Sequence, residues 1–221
     1  MLLYYITDRT QFPGSEPARR DRLLGKIAEA ARRGIDFIQL REKDLSARDL
    51  EKVTLEAVRV VHENSPAGNR EARTRLLINS RMDIAVSCGA DGVHLRAGDL
   101  SPRDVREGWF RSTSNGEACL TQPPTVAASC HTLTEILQAR EQAADLAVFG
   151  PIFEKPGVPK SRPLGLALLQ QACTRGFPVL ALGGVDLDNA RLCVSAGAAG
   201  IAAIRLFQEN DIAEVVRQLA V

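Results

Sequence analysis

Short, nearly continuous apolar runs alternate along the chain with longer stretches whose apolar residues recur at helical spacing. Leu3–Thr7 predicts a strand. Ala18–Arg33 predicts a helix, with Leu23, Leu24, Ile27, Ala28 and Ala31 on one face, arginines and acids opposite, and Gly34 as the stop. The same alternation predicts strands over Phe37–Leu40, Leu76–Ile78, Gly92–Leu95, Val126–Ser129, Leu146–Phe149, Pro178–Leu182 and Ile201–Ile204. Between and after them it predicts helices over Ser46–Val61, Met82–Cys88, Ser101–Glu107, Thr132–Ala143, Leu166–Cys173, Leu187–Ser195 and Asp211–Leu219. Ser46 with Asp49 is spaced as a capping box, and Ser101 caps a helix that opens on Pro102.

A weak repeat supports this count. Arg-Gly-Ile-Asp-Phe-Ile, Cys-Gly-Ala-Asp-Gly-Val, Gln-Ala-Ala-Asp-Leu-Ala and Ala-Gly-Ala-Ala-Gly-Ile each end a helix on small residues and turn into a strand. Strict alternation requires a parallel sheet. Eight even units, and the lack of a G-x-G-x-x-G turn after the first strand, favour a closed (β/α)8 TIM barrel over an open doubly wound sheet. The 221 residues suit one such domain over 1–221.

In a barrel, the loops leaving strand C-termini build the site. Gln39 and Arg41 alternate onto the inner side of the second strand, where uncompensated polar groups are costly, and Lys43 adds a point charge. An ion pair of Arg41 with Glu42 or Asp8 is the structural alternative to anion binding. Gly183 and Gly184 end the seventh strand, and Ile204 and Arg205 follow the eighth, at the usual phosphate position of barrels. His131 follows the fifth strand and has the reach for proton transfer. Asp8, Asn79, Asp99, Ser129 and Glu154 also fall at strand ends, while His94 reads as a core histidine and His62 as a solvated one. The 150–164 stretch, with Lys155, Lys160 and Arg162, reads as a basic flap or a plain surface loop. The 108–125 stretch follows a helix, on the face opposite the site, and reads as an insertion.

Composition changes this picture little. A net charge of +1 gives no sign of nucleic-acid or membrane-surface binding, and no apolar run approaches the roughly 20 residues of a membrane helix. The five cysteines show no metal or CxxC spacing, which points to a reducing cytoplasm. Association into a homo-oligomer is left open.

Taken in order, these motifs resemble the thiamin phosphate synthase/TenI superfamily. The shared text is Tyr-Ile-Thr-Asp at 5–8, Phe-Ile-Gln-Leu-Arg-Glu-Lys-Asp at 37–44, Leu-Ile-Asn at 77–79, Gly-Ala-Asp-Gly-Val-His-Leu at 89–95, Ser-Cys-His-Thr at 129–132, Phe-Gly-Pro-Ile-Phe-Glu at 149–154 and Leu-Gly-Gly at 182–184. The resemblance implies a small phosphorylated thiazole as substrate. In the synthase branch it implies magnesium, with Gln39, Arg41 and Lys43 receiving an aminopyrimidine diphosphate and Asp99 as a metal ligand. Ser80 stands where that branch carries its second metal aspartate, Arg96-Ala97-Gly98 replaces Gly-Gln-Glu, and Arg205 replaces a small residue. The TenI branch is a tautomerase that aromatises thiazole phosphate carboxylate without a metal cofactor. Asn79-Ser80-Arg81, His131 and Phe153-Glu154 are closer to that branch, with His131 as the general acid/base. The expectation is therefore a TenI-like tautomerase, with thiamin phosphate synthase as the alternative and a non-catalytic ligand-binding regulator as a third reading.

Overall fold

A computed structural model describes residues 1–66, 73–114, 122–154 and 162–219. Eight parallel strands close in sequence order: β1 (Leu2–Ile6), β2 (Phe37–Leu40), β3 (Arg75–Asn79), β4 (Gly92–Leu95), β5 (Thr125–Cys130), β6 (Leu146–Phe149), β7 (Val179–Leu182) and β8 (Gly200–Ala203), with β8 returning to β1. The helices are α1 (Glu16–Arg32), α2 (Ala47–Asn64), α3 (Met82–Cys88), α4 (Pro102–Ser114), α5 (Leu133–Glu141), α6 (Gly165–Cys173), α7 (Ala190–Ser195), α8 (Arg205–Gln208) and α9 (Ile212–Leu219). The (β/α)8 barrel expected from the alternation is the observed fold, and no described helix is long and apolar enough to cross a membrane.

Period-2 alternation divides each strand between two cores. Tyr4, Ile6, Phe37, Leu77, Ala127, Leu146, Val148, Leu180 and Ala202 fill the barrel interior. Their neighbours Leu3, Tyr5, Ile38, Leu40, Ile78, Val126 and Ala181 pack outward under the helices. Extending the inner register to the strand C-termini gives Gln39, Asn79, His94 and Ser129 on β2–β5, but Val148, Leu182 and Ile204 on β6–β8. One half of the mouth therefore has a polar floor and the other an apolar one.

The predicted Ser46 cap is present: its Oγ accepts the Asp49 N–H at 3.2 Å. Helix α4 runs past the predicted end at Glu107 to Ser114. Val105 and Trp109, at i and i+4, are both buried and carry the helix through Gly108, where a Cβ would come within 2.9 Å of Met82 Cε. This glycine lets α4 approach α3; it does not end the helix. Lys155 and Lys160 of the proposed flap, and Cys119, lie outside the described residues.

Candidate functional site

The polar half of the mouth is wired by two hydrogen-bonded runs. His94, in β4, receives or donates at both ring nitrogens, with Tyr4 Oη 2.8 Å from Nδ1 and Ser129 Oγ 2.7 Å from Nε2. Burial, aided by the positive charge of Arg41, pushes the His94 pKa down to about 3, so the ring is neutral and structural. The second run links the ends of β2 and β3 to the two loops that follow β3 and β4. Gln39 Nε2 donates to Asn79 Oδ1 (2.8 Å), Asn79 Nδ2 to Ser80 Oγ (3.2 Å), and Ser80 Oγ to Asp99 Oδ2 (2.6 Å). Asp99 also accepts the Arg96 N–H at 2.7 Å and its guanidinium at 3.2 Å.

Gln39 is 2% exposed, and among the described residues its Oε1 has no partner. A buried acceptor left in this state costs about 1–3 kcal/mol. Burial draws the Arg41 guanidinium below its ordinary pKa. The Lys43 amine is lowered too, first by Arg41, then by burial and by Arg96. These three cations therefore share one region of the mouth. The ion pair that sequence allowed for Arg41 does not form. Glu42 is taken by Arg9 (3.2 Å) and by the Thr7 hydroxyl (2.6 Å), and Asp8 by Thr10 and Gln11. Among the described residues, the Arg41 guanidinium has no hydrogen-bonding or ion-pair partner.

The apolar half opens into a cleft of about 600 Å³, lined by Phe153 and Glu154 after β6, by Gly184–Asn189 after β7, and by Arg205, Leu206, Glu209 and Asn210 around α8. Gly184 has φ +66°, and a Cβ there would lie 2.4 Å from Glu154 O, so the β6 and β7 loops close together only over glycine. Asn189 Nδ2 holds the Gly184 carbonyl at 2.9 Å, which turns the peptide on. Among the described residues, the N–H groups of Gly184, Val185, Arg205 and Leu206 have no hydrogen-bond partner, and all four residues line this cleft. Such a nest of N–H groups suits an anion, and Arg205, exposed and without an ion-pair partner among the described residues, adds a full charge. Gly183 and Ile204 lie behind the lining: their carbonyls accept Phe153 N (2.9 Å) and Phe207 N (3.2 Å). Glu154 stands exposed at the cleft's edge.

His131 sits on the rim after β5, where its Nδ1 donates to the Gly150 carbonyl at 2.6 Å and its backbone N–H is held by Glu135. In the neutral ring this bond leaves the Nε2 lone pair free. The adjacent Cys130 is buried, and burial raises its thiol to about 12, so it is inert. His62 is exposed and contacts Arg73, far from this chemistry. Sequence reasoning noted Arg96 only as a departure from the relatives' pattern. It did not identify Tyr4, Thr7 or Asn189, whose roles depend on cross-strand neighbours.

The donor set at Asp99 does not suit the magnesium implied by the synthase branch. Among the described residues, no group of three or more His, Cys, Asp and Glu side chains is arranged to hold a metal ion. Asp99 is the one carboxylate at the expected place, and it is already bonded to Ser80 and ion-paired with Arg96. A divalent cation prefers oxygens with free lone pairs and no adjacent guanidinium, so these residues do not fit it.

Two anion-suited half-sites in the mouth of a parallel barrel define a protein built for phosphorylated small molecules. A family model described as thiamine monophosphate synthase matches residues 3–207. The chain is 33% identical over 208 residues to a putative thiamine-phosphate synthase 2 of Aquifex aeolicus, covering 94% of this chain and 97% of the relative. It is 30% identical over 212 residues to a thiamine-phosphate synthase of Caldanaerobacter subterraneus, covering 95% and 87%. The solved thiamine phosphate pyrophosphorylase of Pyrococcus furiosus superposes with a TM-score of 0.75 at 25% identity, covering 99% of this chain and 93% of that one. The chain belongs to the thiamine monophosphate synthase family of enzymes.

Proposed function

We propose that this protein joins an aminopyrimidine diphosphate to thiazole phosphate, giving thiamin phosphate and pyrophosphate. The observation that carries this reading is the presence of two separate anion-suited half-sites in one mouth, one of them over an unsatisfied buried acceptor. A reaction on thiazole phosphate alone needs only the cleft at β7 and β8. The exocyclic amine of an aminopyrimidine supplies the donor that Gln39 Oε1 lacks. Arg41, Lys43 and Arg96 neutralise its diphosphate, while the N–H nest around Gly184 and Arg205 takes the thiazole phosphate.

Held between these sites, the thiazole nitrogen attacks the pyrimidine methylene carbon. The C–N bond forms as the C–O bond to diphosphate breaks, and no proton need move. The protein contributes proximity and charge stabilisation of the leaving group. Substrate-resolved kinetics test this division. Arg41→Gln raises KM for the pyrimidine diphosphate alone, and Arg205→Gln raises KM for thiazole phosphate alone. A variant that shifts both equally, or neither, sinks the two-site reading.

A second reading, the tautomerase expected from sequence, is favoured by one observation. The bond from His131 Nδ1 to Gly150 leaves Nε2 as a positioned base at the rim. Its test is conversion of thiazole phosphate carboxylate. Loss of that conversion in His131→Ala with thiazole phosphate binding kept supports it, and unchanged conversion in the variant removes it.

A further inference from the structure

Arg96 occupies the turn between β4 and α4, and its environment carries an inference about how the diphosphate half-site is neutralised. Asp99 Oδ2 accepts Ser80 Oγ (2.6 Å), Arg96 N (2.7 Å) and Arg96 Nε (3.4 Å), and Oδ1 accepts Arg96 Nη2 (3.2 Å). A carboxylate offers about four lone-pair sites. Oδ2 is therefore fully engaged, and Oδ1 keeps one lone pair beside the Arg96 cation. A metal ion at Asp99 would have to sit against that guanidinium.

Arg96 itself is not spent. Its side chain is 53% exposed against 13% for Asp99, and Nη1 has no partner among the described residues. Its charge reaches both Arg41 and Lys43. Three like charges collect at the C-terminal ends of β2 and β4, beside the unsatisfied Gln39. Asp8, Glu42 and Asp99 offset part of this charge, a bound anion would offset the rest, and a planar guanidinium fork matches two phosphate oxygens. The run from Gln39 through Asn79, Ser80 and Asp99 to Arg96 connects the floor of this half-site to that charge.

We propose that Arg96, clamped by Asp99 and Ser80, replaces a divalent cation as the counter-charge for the diphosphate group, so that this protein binds pyrophosphate without metal. The inference rests on the synthase reading for the identity of the diphosphate, but its test does not require turnover. Calorimetric titration of the full chain with inorganic pyrophosphate in EDTA shows binding, and added magnesium alters the affinity by less than about 3-fold. Arg96→Gln weakens metal-free binding about 10- to 100-fold, the loss of a charge-assisted hydrogen bond, and Arg96→Lys restores part of it. The pair Ser80→Asp with Arg96→Gly binds pyrophosphate only when magnesium is added. The backbone of residue 80, at φ +62°, accommodates aspartate readily.

A wild type that needs magnesium to bind pyrophosphate overturns the proposal. So does Arg96→Gln that binds as tightly as wild type, or a paired variant with no metal dependence. If binding behaves as stated but no thiamin phosphate forms from the two substrates, the synthase reading fails and the Arg96 proposal stands.

Discussion

Gln39→Leu separates stability from function at one side chain. In the wild type, Gln39 is 2% exposed, makes one hydrogen bond of 2.8 Å to Asn79, and leaves Oε1 unpaired. Leucine has a similar volume, sits beside the barrel-interior cluster and removes the orphan acceptor, whose penalty is about 1–3 kcal/mol. It also breaks the bond to Asn79, worth about 1 kcal/mol, and Asn79 is exposed enough to bond to water instead. The net expectation is a gain of about 1 kcal/mol, which for a chain of this size raises Tm by roughly 2–4 °C. At the same time KM for the pyrimidine diphosphate rises about 10-fold or more, because the amine of the substrate loses its acceptor. Scanning calorimetry and steady-state kinetics on the same preparation read both effects. A lower Tm, or an unchanged KM for the pyrimidine, refutes the reasoning. The trade of stability for a prepared site is the physical signature of a binding residue.

Two further outcomes follow from the geometry. His94 takes up a proton near pH 6.5 when unfolded but only near pH 3 when folded, so between those values the unfolded chain binds more protons and stability falls as pH falls. Urea unfolding shows this as about 2 kcal/mol lost between pH 7 and pH 5, relative to His94→Gln; identical slopes in the two proteins contradict it. Gly184→Ala places a methyl 2.4 Å from Glu154 O and 2.8 Å from Phe153 Cβ at a positive φ, so it displaces the β6 loop and raises KM for thiazole phosphate at least about 10-fold while sparing the pyrimidine; the opposite selectivity argues against the assignment of the two half-sites.

The barrel was legible because inside–outside alternation and helical spacing are local properties, and every strand core was placed within one or two residues of its observed span. Helix α4 was shortened because Gly108 reads locally as a terminator, while burial of Val105 and Trp109 carries the helix through it. Gln39, Arg41 and Lys43 were legible as a polar cluster after one strand. Whether Arg41 was paired was not, because that depends on Arg9, 33 residues from Glu42, capturing the carboxylate first. The role of Arg96 was hidden for the same reason: it emerges only where the β3 and β4 loops meet at Ser80 and Asp99. Gly183 and Gly184 looked equivalent in sequence, but the fold turns only Gly184 into the cleft.

The most direct measurement is a coupled assay in which purified protein receives the aminopyrimidine diphosphate and thiazole phosphate, and both thiamin phosphate and pyrophosphate are quantified. The account predicts equal amounts of the two products, with formation continuing in EDTA and collapsing in Arg96→Gln. Absence of thiamin phosphate with or without magnesium, alongside aromatisation of thiazole phosphate carboxylate that depends on His131, would contradict it.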